Sequence, residues 1–222
     1  MNFKSVLLFA CLIFSVQLFS QSNIQQSGQK VKITTMFGDM IVLLYNDTPV
    51  HRDNFIANVK AGNYNGALFH RVISGFMAQG GDFNSVGATP TQRLGSDNCT
   101  QIPNEIRRNH FHKKGALAAA RLPDSYNPDR LSSGCQFFIV QGYKHTDQQL
   151  NAMENDNYKF PDFNRAYYKA IGGFPSLDMQ YTIFGEVIEG LEIIDLICAM
   201  PTGKNVKDRP NTDIKMTVSL IE

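Results

Sequence analysis

The chain contains no tryptophan, and charge of neither sign predominates: 21 Lys plus Arg stand against 20 Asp plus Glu. A protein so nearly neutral lacks the basic field that non-specific binding to nucleic acid or to an acidic membrane requires. Cysteine is scarce, four residues in 222. No CxxC or Cys/His pair has metal-ligand spacing, which excludes a zinc finger or ribbon. There is no internal repeat, and past the first twenty residues no apolar run is long enough to span a bilayer. What remains is an ordinary globular composition, 43% hydrophobic and 18% charged, in a chain long enough for one domain with a real core.

The N-terminus is a separate object. Lys4 supplies a positive start, residues 6–19 are apolar except for Ser15 and Gln17, and a polar stretch opens at Ser20-Gln21. This is the layout of a secretory signal cleaved near Ser20. The expected organisation is a signal peptide over 1–20, a polar linker over 21–30 and a single domain over 31–222. Export leads to a periplasm, to the medium, or to the endoplasmic reticulum lumen in a eukaryote. Loss of Lys4 takes Lys plus Arg from 21 to 20, equal to the 20 acids. Cys11 leaves with it. Cys99, Cys135 and Cys198 remain, an odd number, so at least one is free unless it pairs with another chain. They read as packed or incidental, and the fold is not expected to depend on a disulfide.

Residues 31–35 and 40–45 are β-rich runs around Phe37-Gly38-Asp39 and predict a hairpin. Thr48-Pro49 reads as a helix cap followed by proline at the first helical position, with a helix to about Lys60 and a stripe of Phe55, Ile56 and Val59. Short strands are predicted over 68–73 and 76–79, a long irregular loop over 80–112, and further strands over 115–120 and 136–140. Within 143–170, Thr146 to Gln149 fits a capping box, and Phe163, Ala166, Tyr167 and Ala170 recur at helical spacing. A strand over 181–187, a helix over 191–199 and a final alternating strand at Ile214, Met216, Val218 and Leu220 complete the count. About eight strands and two main helices favour a closed barrel or a sandwich.

The chemistry concentrates in residues 69–83. Arg71 is a permanent cation that alternation places on one face with Phe69 and Ile73, and His70 with Val72 on the other. Taken alone, Arg71 reads as a surface ion pair and His70 as a core histidine. Gln79 shares a face with Met77, and Gln136 with Phe138 on another strand. Two strands each offering an amide and an apolar group make a pocket with few placed polar groups. None of these is a good nucleophile, which suits a reaction that breaks no covalent bond.

Phe69-His70-Arg71 with Phe76-Met77-Ala78-Gln79-Gly80-Gly81-Asp82-Phe83, then Ser133-Gly134-Cys135-Gln136-Phe137-Phe138-Ile139, then the run from Leu177 to Val187, together resemble the motifs of the cyclophilins. These are the cyclosporin-binding class of peptidyl-prolyl cis-trans isomerases. The resemblance runs in order over nearly the whole mature chain. It implies a mainly β fold, a closed eight-stranded antiparallel barrel capped by two helices, here with a helical insertion near 143–170 where minimal members have a shorter connection. It implies Arg71 as the catalytic arginine and Gln79 as the amide holding the substrate backbone. Phe76, Met77, Phe138 and Leu177 become walls of a proline pocket, while Ala120, Arg121 and Gln136 lie along the peptide groove. Tyr181 stands where many eukaryotic members have histidine, and Ser176 where they have a tryptophan that helps bind cyclosporin. Both departures resemble bacterial exported members. No cofactor or metal is implied. The expected partners are proline-containing polypeptides, with no nucleic acid and no stable membrane insertion once the signal is removed, and the chain is expected to be a monomer. The alternative is a module or chaperone that captures proline segments with incidental turnover.

Export predicts a mature protein beginning near Gln21. Intact mass of the protein recovered from its native compartment checks this, and a mass that retains Met1 overturns it.

Overall fold

The β-branched runs after residue 30 pair at once. In a computed structural model describing residues 28–96 and 99–221, β1 (Lys30–Thr35) and β2 (Gly38–Leu44) form the expected hairpin, with Thr35 opposite Gly38. The signal segment, Cys11 and most of the linker lie outside the described residues. There follow α1 (Pro49–Lys60), β3 (Arg71–Ile73), β4 (Met77–Gly80), β5 (Gln101–Ile102), β6 (Ala116–Ala119), β7 (Ser132–Ser133), β8 (Phe137–Val140), α2 (Asp147–Met153), α3 (Asp162–Ala170), β9 (Ile183–Glu189), α4 (Leu191–Cys198) and β10 (Thr217–Ile221).

Eight strands make one antiparallel sheet in the order β10-β1-β2-β9-β6-β8-β4-β3, while β5 and β7 pair separately. The sheet curls into a half-barrel rather than the closed barrel expected, because its edge strands β10 and β3 do not pair with each other. The residues just before them meet instead: the Phe69 N–H donates to the Ile214 carbonyl at 2.9 Å and the Met216 N–H to the Ala67 carbonyl at 2.8 Å. That seam uses Leu68 and Phe69, so the strand expected from residue 68 begins only at Arg71. Phe69 turns into the core and does not share a face with Arg71, as uninterrupted alternation had implied. Four α-helices, not two, accompany the sheet among the described residues.

The two faces of the sheet bury different things. Val31, Ile33, Val42, Leu117, Phe137 and Ile139 point inward with Phe55 of α1 and Ile194 and Ile197 of α4. This interior is filled by side chains. Residues one step away in sequence, Met77, Ala118, Phe138 and Val140, point to the opposite face and form a second apolar cluster. The period of two thus separates core from groove within the same strands.

Helix ends follow the sequence unevenly. Thr146 caps α2 in a full capping box with Gln149, an arrangement worth about 1 kcal/mol. Thr48 makes no side-chain cap on α1, and its buried hydroxyl has no partner among the described residues. The Glu105 carboxylate does that work from outside the helix, accepting from the Val50 N–H at 3.2 Å and the His51 N–H at 2.9 Å. A negative charge there also complements the helix dipole. On α3 the buried residues are Asn164 and Tyr168, whereas Phe163 is exposed. The inserted segment packs its own small core of Phe111, Leu150, Phe160 and Tyr168. Its two ends are pinned together where Tyr143 and Gly173 exchange backbone hydrogen bonds at 3.2 and 3.1 Å. Only glycine fits at 173, since a side-chain carbon there would stand 2.4 Å from the His112 carbonyl.

Cys99 and Cys135 form a disulfide across 36 residues, and Cys198 is free and buried. This corrects the reading of the cysteines as incidental, though one thiol is left over as the odd count required. The bond ties the long loop after β4 to the start of β8. Cys135→Ala is expected to destabilise the protein by about 2–4 kcal/mol. Guanidinium denaturation without reductant measures this, and unchanged stability would show the loop to be held by its hydrogen bonds alone.

Candidate active site

Strands β3, β4 and β8 lie side by side, and their register sets Arg71 opposite Gln79 and Gln79 opposite Phe138. Arg71 Nη1 donates to Gln79 Oε1 at 3.2 Å, Gln79 Nε2 donates to Gln136 Oε1 at 3.0 Å, and Gln136 Nε2 donates to the Ser96 carbonyl at 3.1 Å. The direction of this relay is fixed at one end. A guanidinium only donates, so Gln79 must turn its oxygen to Arg71 and its nitrogen onward. Asp208 Oδ2 lies 3.7 Å from Arg71 Nε, and the arginine side chain is 41% exposed. The surface ion pair that Arg71 suggested on its own is therefore present, beside the amide relay.

Next to this row stands the second apolar cluster. Met77, Phe138 and Ile183 are buried in it, with Phe76, Phe174, Leu177 and Tyr181 partly buried against them. Phe76 packs on Phe174 at 4.3 Å, and Phe138 meets Tyr181 edge-on at 5.5 Å. The Arg121 guanidinium covers the Tyr181 ring at 4.8 Å, donates from Nε to the Gln180 carbonyl at 2.9 Å and pairs with Asp124. Its side chain is thus part of the rim and not a free surface group. Ala120 and Arg121 share with Gln79 and Gln136 a small hollow of about 40 Å³, also lined by Gly95, Leu122 and Ser133.

All ten residues singled out in the sequence fall into these three adjoining groups: the relay of Arg71, Gln79 and Gln136, the cluster holding Phe76, Met77, Phe138, Leu177 and Tyr181, and the hollow bounded by Ala120 and Arg121. The sequence reading missed Asp208, which is adjacent in space only, and Phe174, which lies outside the motifs. It also missed His112 and Asp178, which pack behind the apolar cluster. His70 is buried as expected, and neither ring nitrogen has a hydrogen-bond partner among the described residues. Burial pushes its pKa down to about 4, against the pull of the Asp82 carboxylate. No group of three or more His, Cys, Asp or Glu residues able to hold a metal occurs among the described residues.

The sequence that builds this cation, amide relay and apolar pocket matches a family model. Residues 30–219 match the model for "Cyclophilin type peptidyl-prolyl cis-trans isomerase/CLD". The chain belongs to the cyclophilins. It is accordingly a peptidyl-prolyl cis-trans isomerase. A relative from Staphylococcus saprophyticus carrying that activity in its name is 33% identical over 209 residues, 92% of this cyclophilin and 97% of the relative. One from Staphylococcus aureus is 33% identical over 86% of this chain and 91% of its own. A cyclophilin type isomerase of Cryptosporidium parvum shares the fold, with a TM-score of 0.62 at 24% identity, covering 88% of this chain and 99% of that one. The same protein in the presence of the dipeptide Ala-Pro gives a TM-score of 0.61 at 25% identity, covering 87% and 99%.

The buried His70 should make this cyclophilin acid-sensitive. Between the unfolded value near 6.5 and the folded value near 4, the unfolded chain binds a proton that the folded one does not, so stability falls as pH drops through that window. Wild type should lose roughly 2 kcal/mol between pH 7 and pH 5. His70→Asn should lose much less, because only other groups such as His51, also lowered by burial, still contribute. Urea denaturation at the two pH values checks this; equal losses in both proteins would assign the acid sensitivity elsewhere.

Proposed function

We propose that Arg71 is the catalytic group of this isomerase and that the cluster around Phe138 seats the prolyl ring, with Phe76, Met77 and Leu177 as further walls. Gln79 and Gln136 hold the substrate backbone, and Ala120, Arg121 and Tyr181 line the groove beside it. The observation that carries this reading is the placement of Arg71 in one cross-strand row with Gln79 and Phe138. A guanidinium is thereby set at the edge of an apolar recess.

The X-Pro bond resists rotation by about 18–20 kcal/mol because the amide nitrogen shares its lone pair with the carbonyl. Uncatalysed exchange takes tens to hundreds of seconds, slow enough to limit folding. At the twisted transition state that sharing is broken, and the prolyl nitrogen becomes pyramidal and basic. A guanidinium N–H aimed at it bonds the transition state more strongly than the planar ground state, which lowers the barrier. The Gln79 amide accepts from one Arg71 nitrogen and limits its rotation, so little reorganisation remains for the reaction. The apolar wall excludes water from the ring and strengthens the contact.

The natural substrates are read as proline-containing segments of exported proteins. The N-terminal pattern supports this, and so does the Cys99–Cys135 bond, since such bonds persist in oxidising compartments.

Arg71→Ala should lower kcat/KM on a succinyl-Ala-Ala-Pro-Phe type peptide by about 100-fold to 1,000-fold. Its melting temperature should barely move, because a partly exposed ion pair contributes little. Near-normal turnover by a folded Arg71→Ala protein would overturn the assignment and favour a module that binds proline segments by its apolar wall.

A further inference from the structure

Behind the apolar cluster lies a buried carboxylate for which neither the barrel core nor the relay has a use. Asp178 follows Leu177 directly, and its side chain is 1% exposed. Its Oδ1 accepts from the His112 N–H at 2.8 Å and lies 3.0 Å from His112 Nδ1. The Tyr168 hydroxyl stands 2.9 and 2.8 Å from its two oxygens, and the Tyr158 hydroxyl donates to Oδ2 at 3.1 Å. Both phenols belong to the inserted segment, Tyr168 on α3 and Tyr158 in the loop before it. Burial and the adjacent carboxylate raise both phenol pKa values well above the ordinary range, so the two hydroxyls keep their protons and remain donors.

The other side of this network touches the groove. The His112 ring lies within 9° of parallel to Phe138, with centroids 6.1 Å apart, and meets Tyr181 edge-on at 6.2 Å. The His112 carbonyl accepts from the Phe174 N–H at 2.8 Å, and Phe174 packs on Phe76. His112 Nε2 is buried and has no hydrogen-bond partner among the described residues. The polar hold on the ring is therefore at Nδ1, through Asp178. Leu177 is one peptide bond from a carboxylate held by the insertion, Phe138 reaches it through His112, and Phe76 through Phe174 and His112.

We propose that the inserted segment is part of the frame of the groove. Tyr168 and Tyr158 are positioning residues that, through Asp178 and His112, fix Phe138 and Leu177 and so set the width of the proline pocket. This rests on the reading that the Phe138 cluster seats the prolyl ring. The physical reason is the cost of a buried carboxylate with too few donors. Without the Tyr168 hydroxyl, Asp178 must shift toward water or another donor, and it carries Leu177 and His112 with it.

Pocket width is read by ring size. The test compares kcat/KM for matched peptides bearing proline or its six-membered homologue, pipecolic acid, in wild type, Tyr168→Phe and Tyr158→Phe. The change to Phe keeps each ring and removes only the hydroxyl. One methylene in an apolar pocket is commonly worth about 10-fold or more. Tyr168→Phe should reduce the preference for proline by about fivefold, and Tyr158→Phe, which makes one bond from a half-buried site, by about twofold. A merely structural loss lowers both rates together and leaves their ratio alone. Wild-type preference in the folded variants overturns the proposal, and Tyr158→Phe decides it if Tyr168→Phe does not fold. Arg71→Ala run alongside separates the two readings. If it retains turnover, the groove reading has failed. If it is inactive while the preference is unchanged in the tyrosine variants, only the role of the insertion has failed.

Discussion

The antiparallel register of β3, β4 and β8 is the constraint on which the site depends. It puts Arg71, Gln79 and Phe138 in a single row. A slip of one residue would turn that row into the half-barrel and bring Val72, Ala78 and Ile139 out. What forbids the slip is the filled interior, where Phe137 alone makes edge contacts with Phe55, Tyr64 and Phe69. The site contributes little to its own placement. It is the outward half of strands whose inward half cannot move.

The polar relay then restricts what the row can do. From Arg71 through Gln79 and Gln136 to the Ser96 carbonyl, each group has its donor and acceptor roles set by its neighbour. Its far end is a loop held to the sheet by the Cys99–Cys135 bond and by the Gly134 N–H to Thr100 carbonyl hydrogen bond at 2.9 Å. Side-chain order at Arg71 therefore derives partly from backbone order in a segment with almost no secondary structure. The same logic recurs behind the pocket, where the buried Asp178 carboxylate joins the apolar cluster of the groove to that of the insertion.

Much of this was legible in the sequence. The hairpin, the helix after Pro49, the capping box at Thr146 and the shared face of Gln136 and Phe138 all follow from period and local chemistry. Reading failed where partners come from distant stretches. The unclosed edge could not be seen because Leu68 and Phe69 look like strand residues and are used in a seam. Thr48 has the composition of a cap, but Glu105, 57 residues on, reaches the helix end first. Phe163 follows helical spacing and yet is exposed, since α3 turns Tyr168 inward to meet Asp178. The disulfide pairs a loop residue without periodicity to a strand end. Asp178 is one acid among 20, and nothing local marks it, because its ring partners come from elsewhere in the chain, His112 from the loop before β6 and Tyr158 and Tyr168 from the inserted segment.

The leftover thiol has a consequence for how the chain holds its covalent state. The three cysteines among the described residues allow three pairings, and exchange among them needs a thiolate attacking a sulfur it can reach. Cys198 is the last residue of α4, and burial together with the Asp195 charge pushes its pKa up to about 12. The third sulfur is present, but its burial disfavours the thiolate that exchange requires. Burial of Cys198 at the end of the docked α4 thus works against exchange at the Cys99–Cys135 bond.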